Sequence, residues 1–83
     1  MRTLKVAKKK REDRYIVASS SNAAARRVLG RKPREVVRPD PERRNINEIF
    51  FLVSKEVSHE EATALARQFA RSCFLGPFFV FEA

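Results

Sequence analysis

All seven phenylalanines of this chain lie from Phe50 to Phe81, and five of them sit in two short apolar runs. Ile49–Val53 and Phe78–Phe81 are rich in β-branched and aromatic residues, which predicts two strands. Neither run alternates apolar with polar residues. Side chains point to opposite faces along a strand, so Ile49, Phe51 and Val53 share one face while Phe50 and Leu52 take the other. Phe79 and Phe81 oppose Phe78 and Val80 in the same way. Helices can cover one face of such a sheet, and something else must then cover the second. Left bare, that second face would approach the few hundred Å² of contiguous apolar surface that a monomer rarely exposes.

Between the two runs the spacing predicts a helix from Ser58 to about Cys73. Ser58 and Glu61 fit a capping box, and Val57 and Ala62 stand at the positions of a hydrophobic staple. Glu56, Glu60 and Glu61 lie near the positive end of the helix dipole, and Arg67 and Arg71 lie toward the negative end. Ala62, Leu65, Ala66, Phe69, Ala70 and Cys73 recur with the spacing of one buried face. Gly76 and Pro77 prevent any continuation. Phe69, central in this stripe, is expected to be buried, with a cost of about 3–5 kcal/mol on truncation to alanine.

The preceding residues supply a matching half. Tyr15–Ala18 reads as a strand, and Ser19 to Asn22 offer N-cap residues for a helix ending near Leu29. Ala24, Ala25, Val28 and Leu29 form its apolar stripe, Arg26 and Arg27 point elsewhere, and Gly30 stands at the C′ position. Arg34–Arg38 reads as a short edge strand between Pro33 and Pro39. Residues 39–46 form a polar loop into the next strand. The order β-α-β-β-α-β, with right-handed crossovers, predicts an α+β ferredoxin-like two-layer sandwich: an antiparallel sheet with two helices on one face. Residues 15–83 make one α/β domain. Residues 1–14 are a basic arm or, through Leu4 and Val6, a further edge strand. In this fold the C-terminal strand is a sheet edge. Phe78–Phe81 has no internal Lys or Pro to blunt it, so either Leu4–Val6 or a second copy of the chain is expected to cover it.

At 83 residues the chain is one thinly stabilised domain. It has no membrane-length apolar run and no signal-peptide core, and its single cysteine forms no internal disulfide. A cytoplasmic protein is the expectation. The net charge of +8 is divided unevenly: residues 1–44 carry fifteen Lys/Arg against five Asp/Glu, and residues 45–83 carry three against five. Such asymmetry is the usual mark of a polyanionic partner.

Chemistry of the catalytic kind finds little footing. His59 is the only histidine and Cys73 the only cysteine, too few for ordinary zinc ligand sets. The two glycines, Gly30 and Gly76, cannot build a phosphate-binding loop. No enzyme, metal, cofactor, membrane or small-molecule substrate is expected. Tyr15-Ile16-Val17 resembles the shorter aromatic motif of RNA-recognition domains. Glu48–Ser54 lacks the glycines and basic start of the longer motif, so that family is not assigned. Ala24–Gly30 resembles the opening helix of a helix-turn-helix, but Pro39 leaves too few residues for a reading helix.

The expected role is a non-enzymatic basic module contacting RNA or DNA phosphates with little sequence specificity. Lys8, Lys9, Lys10, Arg11, Arg26, Arg27, Arg31, Lys32, Arg34, Arg43 and Arg44 would carry it. The rival expectation is a protein-interaction module, an inhibitor or adaptor or a homodimer, docking through Phe50, Leu52, Phe78 and Val80 or by strand addition.

Overall fold

The computed structural model describes residues 14–83. Its elements are β1 (Tyr15–Ser19), α1 (Asn22–Leu29), β2 (Glu35–Pro39), β3 (Asn47–Leu52), α2 (His59–Ser72) and β4 (Phe78–Glu82). The strands form one antiparallel sheet in the order β2-β3-β1-β4. Both helices pack on the same side, α1 against β1 and β3, and α2 against β1 and β4. The chain is therefore the α+β two-layer sandwich that the element order predicts. The strand expected at Leu4 and Val6 lies outside the described residues.

Local chemistry sets the helix ends. Ser21 caps α1, its Oγ accepting from Ala24 N at 3.1 Å, and Gly30 ends it in the left-handed conformation at φ 72. Ser58 caps α2 by accepting from Glu61 N at 3.1 Å. Val57 and Ala62 are both buried in the core beneath it, as the staple requires. That core joins Val17, Ala25, Val53, Val57 and Ala62, with Phe51, Phe69, Phe78 and Val80 packed around it. Two details of the α2 stripe differ from expectation. Phe69 is only partly buried, against Phe78 at 5.5 Å between ring centroids, so its truncation should cost less than a full core phenylalanine. Ala70 is exposed, and Cys73 is buried as the extended residue that follows the helix.

The second face is closed in part by the sheet itself. β1 and β3 share only two register pairs, Ala18 with Leu52 and Ser19 with Phe51. Beyond them the ladder is continued by Val53 N donating to Val17 O and by the Ser54 hydroxyl accepting from Val17 N, each at 2.9 Å. In a flat sheet, Phe50 would stand two strands and four residues from Phe81, about 16 Å away. Their ring centroids are 4.7 Å apart, and Phe50 also meets Phe79 at 5.7 Å. Arg38 on β2 would stand about 27 Å from Glu82 in a flat sheet, yet its Nε donates to the Glu82 carbonyl at 3.1 Å. The β2–β3 hairpin therefore bends over the outer face of β1 and β4, and Phe50 is left 1 % exposed. This covering comes from within the chain, where the sequence required only that something other than the helices cover that face.

Register divides the four residues expected as one interface. Phe50 and Leu52 lie on the outer face, with Phe50 enclosed. Phe78 and Val80 lie on the helix side, because Phe78 pairs with Ser19 and Val80 with the core residue Val17. No single surface presents all four.

Candidate functional site

Two loops meet at the end of the sandwich where α1 stops and β3 runs out. Gly30 turns the chain out of α1 into Arg31, Lys32, Pro33 and Arg34, and β2 begins. The Leu52 N–H donates to the Arg34 carbonyl at 2.8 Å, which joins that loop to the end of β3. Lys55 follows soon after the end of β3, with the Ser54 hydroxyl donating to its carbonyl at 2.9 Å. The result is a groove of about 610 Å³. Four cations line it, Arg31, Lys32, Arg34 and Lys55, and no lining residue is acidic. Leu29, Pro33, Leu52 and Val53 supply its apolar lining. Pro33 and Val53 are buried, while Leu29 and Leu52 are half-exposed.

Of the residues expected to meet phosphate, Arg31, Lys32 and Arg34 come together here. Arg26 and Arg27 are exposed in the last turn of α1, just before this groove. Arg43 and Arg44 lie in the β2–β3 turn, a hairpin length of about 17 Å from it. Lys8, Lys9, Lys10 and Arg11 lie outside the described residues. Lys55 is the cation that sequence reasoning missed. It belongs to the acidic C-terminal half and enters the site only because β3 ends beside the α1–β2 loop.

The far end of the hairpin has the opposite character. Asp40, Glu42 and Glu48 line a smaller cleft beside Phe50 and Phe79. Asp40 accepts from the backbone N–H groups of Glu42 at 2.7 Å and Arg43 at 3.3 Å. The Glu42 N–H first, then a hydrogen bond from Glu48 and the positive charge of Arg43, hold the Asp40 carboxyl below its ordinary range. Glu48 is pushed up, chiefly because it shares a hydrogen bond with Asp40 and also because the two acids repel. Arg43 therefore sits among carboxylates.

The remaining candidates are quickly placed. His59 opens α2 with its ring edge-on to Tyr15 at 4.9 Å, and Cys73 is buried. No group of three or more potential metal ligands occurs among the described residues. No helix among them is long and apolar enough to cross a membrane. None of the family models, curated proteins or solved structures compared with the chain matches it.

Proposed function

We propose that this chain is a small, non-enzymatic nucleic-acid-binding module that holds phosphates through the basic groove. The carrying observation is the convergence of Arg31, Lys32, Arg34 and Lys55 on one concavity whose lining has no carboxylate. Like charges brought this close repel one another, which favours a bound polyanion that neutralises them. Arg26 and Arg27 extend the positive surface along α1, and the Lys8–Arg11 run adds further charge to the same half of the sequence. Binding is therefore electrostatic in the main, with little base discrimination.

The test is a titration of labelled oligonucleotide at several salt concentrations. Four groove contacts to single-stranded nucleic acid correspond to a log–log salt slope of about −2.8. Arg31→Glu with Lys55→Glu should weaken binding at least tenfold, about 1.4 kcal/mol or more, and flatten that slope. Arg26→Glu with Arg27→Glu should have a smaller effect. Affinity that ignores salt, or a groove variant that binds like the parent, refutes the proposal.

A second reading, a protein-interaction module, is favoured by the outer edge of β4. Among the described residues that strand pairs only with β1, and Phe74 nearby is 96 % exposed. Light scattering with and without oligonucleotide separates the two. A stoichiometric dimer that does not bind nucleic acid would support the second reading.

A further inference from the structure

We infer that the groove receives an unpaired nucleotide, with its base against the aliphatic lining around Leu29 and the neighbouring phosphates on Arg31, Lys32, Arg34 and Lys55. This rests on the nucleic-acid reading above and narrows it to single-stranded or unpaired substrates. A protein that only tracks duplex phosphates needs cations on a surface the duplex can lie against, and apolar groups beneath those cations contribute nothing to it. Here the cations share the lining of one concavity with aliphatic residues, two of them half-exposed. Its volume falls within the range of about 300–1,000 Å³ typical of pockets that bury a small organic group. In a duplex the base faces are stacked away from solvent. Only an unpaired base has an apolar face to offer such a lining.

The walls come already joined. The 2.8 Å bond from Leu52 N to Arg34 O couples the loop bearing three cations to the strand that leads to the fourth. A strand entering the groove thus meets cations from two separate segments of the chain. The groove also explains why little sequence preference is expected. The Ser54 hydroxyl donates its proton to Lys55 O and accepts from Val17 N, so it is already committed within the fold. The apolar lining is aliphatic and makes no distinction between base edges.

Fluorescence anisotropy on the full chain tests this with four ligands at one salt concentration. These are an oligouridylate, a duplex RNA of the same length, inorganic polyphosphate and an oligoglutamate peptide. The oligouridylate should bind about tenfold more tightly than the duplex or polyphosphate, the gain expected from burying about 55 Å² of base face against aliphatic groups. Arg31→Glu with Lys55→Glu should remove that preference, leaving whatever charge attraction Lys8–Arg11 contribute. Equal affinity for duplex or polyphosphate overturns this inference while leaving phosphate binding intact. Failure to bind any nucleic acid at low salt removes both readings. Oligoglutamate binding as tightly as oligouridylate overturns it in favour of an acidic protein partner. A Leu29→Asn variant checked for folding by circular dichroism should weaken oligouridylate binding but not polyphosphate binding, and a parallel loss for both counts against the base-seating role.

Discussion

Replacing Phe50 by alanine tests whether the hairpin lies over the outer face of the sheet. Phe50 is 1 % exposed, so truncation forfeits nearly the whole burial of its ring, about 1.5–3 kcal/mol by transfer. Its aromatic contacts with Phe79 and Phe81 each add about 0.5–1.5 kcal/mol. The void would relax in part, since Phe79 and Phe81 are themselves half-exposed and can move inward. The expected loss is about 3–4 kcal/mol, within the usual range for a buried phenylalanine. At about 4–8 °C per kcal/mol for a domain of this size, Tm should fall by at least 12 °C. Ile49→Ala is the internal control, because Ile49 is the adjacent residue on the opposite face and is 53 % exposed. It should change stability by about 0.5 kcal/mol or less. Paired urea melts of the two variants and the parent give the comparison. If Phe50→Ala costs no more than Ile49→Ala, the hairpin does not fold over β4 and the account of the second face is wrong.

Other outcomes rest on single contacts. Ser54→Ala leaves the buried Val17 N–H without its acceptor, which should cost about 1–3 kcal/mol and raise hydrogen exchange at that amide. A fully protected Val17 amide in the variant would contradict this. Gly76→Ala places a methyl 2.6 Å from the Ser21 Cβ. Neither partner is a flexible chain end, so a loss of about 1–3 kcal/mol is expected in thermal melts, and a neutral result would mean the turn yields freely. Carboxyl NMR titration should find Asp40 below and Glu48 above their ordinary values. The signs are opposite. Asp40 stabilises above its unfolded value and loses this as pH falls through its lowered one. Glu48 stabilises below its unfolded value and loses this as pH rises through its raised one. Glu48→Gln should remove the upper titration and leave the backbone-held Asp40 low; two ordinary carboxyls in the parent would refute the pairing.

Much of the layer structure was legible because its signals are local. Ser58 with Glu61, Ser21 before three alanines, and Gly30 each act within a helical turn, and the helices appear where those residues put them. The grouping of Phe50, Leu52, Phe78 and Val80 failed for a different reason. Alternation states which residues of one strand share a face, but the phase between strands depends on register. The register pairs Phe78 with Ser19 and so turns it toward α2. Sheet curvature was equally hidden, since it shows only in contacts such as Phe50 with Phe81, which join residues far apart in a flat sheet. The groove was half visible. Arg31, Lys32 and Arg34 form a local cluster, whereas Lys55 joins them only through the closure of β3 onto the preceding loop.

The hydrogen bond from Ala83 N to Arg14 O, 2.8 Å long, places the start of β1 beside the end of β4. Those strands run antiparallel from Tyr15 with Glu82 to Ser19 with Phe78. A pull applied between Arg14 and Ala83 therefore opens the rungs one after another, as a zip, instead of loading all five in shear. Such a geometry yields at low force: in an optical tweezer the molecule should come apart gently from its paired ends, with the Arg38–Glu82 bond and the Phe50–Phe81 contact of the hairpin among the first to feel the tension.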